Sequence, residues 1–236
     1  MSVLLALMLL AGPLSTGDDP RGRAVLDSVI SVLGRVQDYT VRLEIVVDIE
    51  RISVPPMEAT LYYKHPDRVH IESDGVAMIP REVLPVAISA IPDRFTVEDT
   101  RRDTLKGMEV LRLGLEPHQA TARTRRLSLA VDPGKWLPVQ LATSSVDGRT
   151  MTADFEFTAV EGLWLPAEVL IRFDAAPEDS SERPSWEQTP PPGRTQRMAR
   201  RGTVRIVYRE YRVNTGLPDE LFAPANGAEE RPRERN

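Results

Sequence analysis

The sequence predicts a mainly β fold of the α+β class, an antiparallel meander of about ten strands that curls into a barrel or part-barrel behind one amphipathic helix. Three observations predict it. A helical period occupies one stretch near the N-terminus, where Val25, Leu26, Val29, Ile30, Leu33 and Val36 recur on one face. From Val41 onward the period drops to that of a strand. Hairpin signals, Lys106-Gly107, Asp132-Pro133-Gly134 and Asp147-Gly148, separate the alternating stretches. So many short strands are too many for a flat open sheet, which is why the meander must curl.

Residues 3–14, VLLALMLLAGPL, are strongly apolar, too short to span a bilayer, and run directly into STGDDP. That is the layout of a signal-peptide core, although no positive residue precedes it. A periplasmic protein, soluble after loss of residues 1–17, is therefore expected. Asp19-Pro20 reads as an N-cap and first helical residue, opening a helix of about five turns.

In TVRLEIVVDIE, Val41, Leu43, Ile45, Val47 and Ile49 take one face, and Arg42, Glu44, Asp48 and Glu50 the other. The alternation returns at Leu61 and Tyr63, Leu113 and Leu115, Leu129 and Val131, Val139 and Leu141, and Phe155 and Phe157. It closes at Ile171 and Phe173, then Ile206 and Tyr208. In the last strand the apolar parity slips between Tyr208 and Tyr211, which predicts a bulge near Arg209–Glu210.

Two segments break the pattern. Residues 76–92, VAMIPREVLPVAISAIP, are nearly uncharged and punctuated by proline, which predicts a short helix from about Leu84 to Ala90. Residues 177–201 are polar and proline-rich, a long loop within a single domain spanning 18–224. A charged tail, 225–236, follows.

Composition excludes several functions. A net charge of −5 without a long basic run argues against a nucleic-acid partner. The absence of cysteine removes thiol nucleophiles and cysteine metal sites. The serines form no nucleophile elbow, and no glycine-rich phosphate loop occurs. His70, Glu72 and Asp74 would share one face of an extended strand, a conceivable metal trio for a hydrolase; the wet face of a strand is the plainer reading. The chain is read as no enzyme, with no cofactor and no metal.

One phrase is written twice: VDPGKWLPVQL at 131–141 and VEGLWLPAEVL at 160–170. In each, an acidic turn precedes Trp-Leu-Pro and an alternating strand follows. Proline cannot donate to a ladder, so it belongs at a strand's first residue or on an edge. Trp136 and Trp164 are therefore expected at one rim of the curved sheet, plugging its end or touching a ligand there.

The order of these features resembles the LolA-like superfamily of periplasmic lipoprotein-sorting and carrier proteins. The resemblance is carried by the helix, LYYKHPDRVHIES, then DG and an apolar insert. It continues through the two Trp-Leu-Pro phrases to GTVRIVYREYRVNTGLPDELF, over roughly residues 20–224. It implies a curved, half-open antiparallel barrel with short lid helices across its mouth and a hydrophobic interior for acyl chains. The cavity and lid are then expected to draw on Leu26, Ile30 and Leu33 of the helix and Leu61 and Tyr63 of an early strand. Met78, Val83, Leu84, Ala87, Ile88 and Ile91 would come from the insert, and Trp136 and Trp164 from the rim. Segment 83–91 reads equally as a movable lid or as a plug of the core. Met78, Met108 and Met151 are adaptable lining or ordinary core. In LolA an arginine before the proline of the second strand helps latch the lid; His65, before Pro66, stands at that position here.

A sheathed methylene is worth about 0.8 kcal/mol, so a buried sixteen-carbon chain gains roughly 12 kcal/mol before ordering costs. The leading expectation is a monomeric periplasmic carrier that shelters the acyl chains of a lipoprotein or lipid. The alternative is an envelope-sensing regulatory module of the same fold. It would touch a membrane protein's exported domain through Arg194, Arg197, Arg200 and Arg201.

Overall fold

The structure is a computed structural model that describes residues 18–50, 52–73, 84–119, 126–144, 150–174 and 201–223. Residues 1–17, Asp74, Met78, Val83, the Asp147-Gly148 turn, the 177–200 part of the loop and the 225–236 tail lie outside the described residues.

Helix α1 is Pro20–Leu33, 14 residues, which is about four turns and not five. The Asp19 carboxylate caps it, accepting from the Arg21 N–H at 3.0 Å. At the other end Gly34 donates to the Ile30 carbonyl at 2.7 Å. Glycine gains least from continuing a helix, so the chain leaves there, and Val36 is buried beyond the helix.

The strands follow in order: β1 (Asp38–Ile49), the short β2 (Ile52–Ser53), β3 (Met57–Lys64) and β4 (Arg68–Ser73). A 3₁₀ helix, Pro85–Ala90, then runs straight into α2 (Ile91–Arg94). Where the sequence predicts one short helix over 84–90 there are two unlike pieces, with Pro85 the first residue of one and Pro92 the second of the other. Then come β5 (Phe95–Leu105), β6 (Met108–Pro117), β7 (Arg126–Asp132), β8 (Leu137–Ser144), β9 (Thr150–Val160), β10 (Leu163–Asp174) and β11 (Gly202–Val213).

All strands belong to one antiparallel sheet, ordered β4-β3-β1-β11-β10-β9-β8-β7-β6-β5, with β2 paired to β1 off that path. The last strand returns beside the first, while β4 and β5 remain edges. The sheet is thus a curved, half-open barrel and not a closed one. Between β1 and β11 the register jumps from Thr40–Arg212 to Arg42–Arg209, and Glu210 takes φ 55°. That is the bulge the slipped parity predicted.

The repeated phrase has the same structural meaning in both places, though not quite the expected one. Both prolines lie inside paired strands of the sheet, not at edges. Pro138 faces Val131 where the β7–β8 register shifts, and Pro166 stands at the shift between β9 and β10. Proline is tolerated in a sheet interior at such irregularities because the missing N–H has no ladder partner to lose. Trp136 and Trp164 do share a rim: the Lys135 ammonium lies 5.1 Å from the centre of the Trp164 ring.

The concave face carries the core. Leu43 and Ile45 of β1, Leu61 of β3, Leu113 and Leu115 of β6, Leu129 of β7, Ile171 of β10 and Ile206 of β11 are each almost wholly buried. Helix α1 lies against them with Val25, Leu26 and Val29. It approaches β5 closely, because a Cβ on Gly22 would stand 2.2 Å from Thr100 Oγ1 and 2.4 Å from Val97 Cγ1. The hollow is therefore largely occupied by the protein's own helix.

On the convex face Asp154 is buried and gathers cations from the β5–β6 turn and the adjoining strand β10. Lys106 reaches it at 2.8 Å and Gln140 donates to its other oxygen at 2.8 Å, with Arg172 alongside. Burial alone would raise this carboxyl, but those three partners more than offset it and hold it below the usual carboxylate range.

Candidate ligand-binding groove

Among the described residues two spaces open into the hollow, toward opposite ends of β9. At the tryptophan rim a small cavity of ≈ 40 Å³ is bounded by Ile30, Leu33, Tyr39, Tyr63, Val86 and Trp164. That is room for little more than a water molecule. At the other end a groove of ≈ 290 Å³ opens between the 85–94 segment and the sheet. The 85–94 segment contributes Ala87, Ile88, Ala90, Ile91 and Arg94. Phe95, Leu127, Leu141, Thr143 and Met151 supply the facing wall. Register explains the separation: Leu127 pairs with Thr143 and Thr143 with Met151, whereas Trp164 pairs with Ala159 at the far ends of β9 and β10.

The residues expected from the sequence divide among three places. Leu26, Leu61 and Leu84 are in the packed core, each at most 1% exposed. Ile30, Leu33, Tyr63 and Trp164 bound the small cavity. Ala87, Ile88 and Ile91 reach the groove. Trp136 packs against the core and lines neither space. Met78 and Val83 lie outside the described residues. Of the adaptable methionines, Met151 lines the groove, while Met108, 41% exposed, stands on the surface.

Thr143, Phe95 and Arg94 were not singled out by sequence reasoning. Only their positions at strand and helix ends hinted at a rim. His118 follows β6 in the chain. It fixes the backbone beneath Arg94, its N–H donating to the Arg94 carbonyl at 2.9 Å and its ring Nδ1 to the Asp93 carbonyl at 3.2 Å. Among the described residues lining the groove, Arg94 is the one charged group. On β3 and β4, His70 Nε2 lies 3.3 Å from Glu72, which also accepts from Tyr62. The described residues hold no metal-ligating group of three. Arg194, Arg197 and Arg200 lie outside the described residues.

The 85–94 segment is tied to its surroundings. Ser89 Oγ lies 3.0 Å from the Pro66 carbonyl and 2.8 Å from that of Val86. His65, in the place of the family's latching arginine, lines the small cavity beside Gly34, with Nδ1 buried and unbonded among the described residues.

Next to this end four tyrosines cluster, with ring centres 5.0 Å apart for Tyr39–Tyr63 and 5.4 Å for Tyr39–Tyr211. Tyr208 stacks on Tyr211. Burial raises all four phenols, Tyr63 to about 12 and Tyr39, Tyr208 and Tyr211 well above their ordinary value. An unfolded tyrosine ionises at about 10, so this cluster favours folding below that pH and its contribution is lost as pH rises through the folded values. Tyrosinate absorbance from four of the five tyrosines should therefore appear late, together with unfolding and well above pH ~10, with only Tyr62, outside the cluster, ionising before it. Gradual ionisation of more than one tyrosine with the fold intact would contradict the burial.

No family model and no curated protein matches this chain. Solved structures do. A LolA superfamily protein of Nitrosomonas europaea superposes with a TM-score of 0.57 at 11% identity, over 86% of this chain and 97% of that one. The fold is LolA-like. A DUF1329 family protein of Desulfovibrio piger shares this LolA-like fold at a TM-score of 0.54 and 13% identity, over 85% and 96% of the two chains. So does a domain from Vibrio parahaemolyticus described as outer membrane lipoprotein-sorting, at 0.52 and 9%, over 84% and 95%.

Proposed function

We propose that the protein is a non-enzymatic, periplasmic binding protein that shelters a hydrocarbon chain of a lipid or lipoprotein during envelope transport. The ≈ 290 Å³ groove carries this reading. It is apolar on nearly every side, one wall is a pair of short helical pieces and not sheet, and it opens at a mouth of a LolA-like half-barrel. The apolar stretch at 3–14, with the layout of an export signal, supports the compartment. An engineered cavity of about 150 Å³ holds benzene, so at roughly 25 Å³ per carbon the groove accommodates ten to twelve carbons. Sheathing a chain of that length gains about 8–10 kcal/mol before ordering costs.

A groove-filling substitution tests the reading. Ala87 is half-buried and lines the groove, so Ala87→Trp places a ring in the space without removing a core side chain. Natively purified protein should yield lipid by mass spectrometry of its organic extract, and Ala87→Trp should retain several-fold less with its melting temperature close to wild type. An extract free of lipid, or equal retention by the variant, would overturn the assignment.

A further inference from the structure

We infer that the groove selects single-chain amphiphiles bearing a carboxylate, with Arg94 receiving the head group at the groove's edge. This rests on the groove being the binding site and specifies what it takes. Three observations support it. Arg94 is the one charged residue among the described residues lining the groove, and its side chain has no ion-pair or hydrogen-bond partner among them. Arg126, the first residue of β7, is by contrast engaged with Glu98. The Arg94 backbone is held by His118 from two directions, through the 2.9 Å and 3.2 Å bonds to residues 94 and 93, so the guanidinium projects from a fixed base.

The lining is otherwise apolar except for Thr143, and a single cation at the end of an apolar slot matches a ligand with a tail and one anionic head. A planar guanidinium meets a carboxylate with two parallel N–H donors. Arg94 is exposed, so water competes and the head group contributes selectivity more than affinity. At ≈ 290 Å³ the space suits one chain of about ten to twelve carbons, by the same ratio as above. Two or three long chains would not fit it as it stands.

Titration of the full-length protein with dodecanoate, dodecanol and dodecyltrimethylammonium, each below its micelle concentration at neutral pH, tests this. Dodecanoate should bind about five- to tenfold more tightly than dodecanol, and dodecyltrimethylammonium more weakly than either. Arg94→Gln should bring dodecanoate down to the level of dodecanol and abolish the ranking of the three ligands by charge, with the melting temperature unchanged. Ala87→Trp should weaken all three. Equal binding of dodecanoate and dodecanol by the wild type, with Ala87→Trp still weakening both, would remove the role of Arg94 and leave the groove as the site. If Ala87→Trp has no effect on any of the three, or none of them binds, the groove itself is wrong.

Discussion

Asp38→Ala should be among the most damaging single substitutions in this protein, lowering unfolding free energy by about 3–5 kcal/mol. Asp38 is 4% exposed at the start of β1, and its carboxylate organises a turn that begins more than 170 residues later. One oxygen accepts from the Thr215 N–H at 2.8 Å and the Thr215 hydroxyl at 3.3 Å. The other accepts from the N–H groups of Gly216 and Leu217 at 3.0 and 3.4 Å. Asn214 returns the contact, its side chain accepting from the Gln37 N–H at 3.0 Å and its backbone donating to the Asp38 carbonyl at 2.9 Å. Alanine would take the shared acceptor from several donors at once, and each group left unpaired costs about 1–3 kcal/mol. Asp38→Asn keeps an acceptor and should lose about half as much. Urea denaturation of the three proteins checks this. A loss below about 1 kcal/mol for alanine would mean that water satisfies the 214–217 turn.

Ile88→Asp should unfold the protein or nearly so, at a cost of about 4 kcal/mol or more, and not merely empty the groove. Ile88 has one side at the groove but is only 1% exposed and belongs to the main core cluster. A carboxylate there would have no counter-charge among the residues lining the groove except the exposed Arg94. Desolvation would raise its ionisation above the usual range, so the penalty relative to wild type should be largest at neutral pH and shrink as pH falls and the group takes up a proton. Thermal denaturation of both proteins at pH about 7 and about 5 measures that difference. A variant as stable as wild type at both would mean that the 85–94 segment swings free of the core. The segment therefore has two sides. Leu84 and Ile88 hold it in place, while Ala87, Ala90 and Ile91 present the other side to the groove.

Which features could be read from the sequence follows from how local their causes are. The helix α1 was legible because Asp19-Pro20 is a local cap and the apolar period is local; only its end was overextended, at Gly34. The bulge at Glu210 was legible because a single slipped residue inverts every side chain after it. Both Trp-Leu-Pro phrases announced a shared rim, yet the prolines' true place, at register shifts between paired strands, depends on the partner strand and not on the phrase. Met151 was marked as possible lining and lines the groove, whereas Met108, marked alike, is exposed. Nothing in the period distinguishes the two, because alternation assigns a face and not an occupant.

By itself the sequence determined a sheet of alternating strands, the turns between them and one helix with an apolar face, since each of these answers to neighbours within a few residues. Only the tertiary structure decided that α1 would fill most of the hollow, that Asp38 would clamp a turn at the opposite end of the chain, and that the larger of the two described spaces would lie beside Arg94. An apolar residue looks the same in a sequence whether a side chain or a ligand covers it. What covers it is set by the curvature of the sheet and the path of the helix across it, which no local pattern encodes.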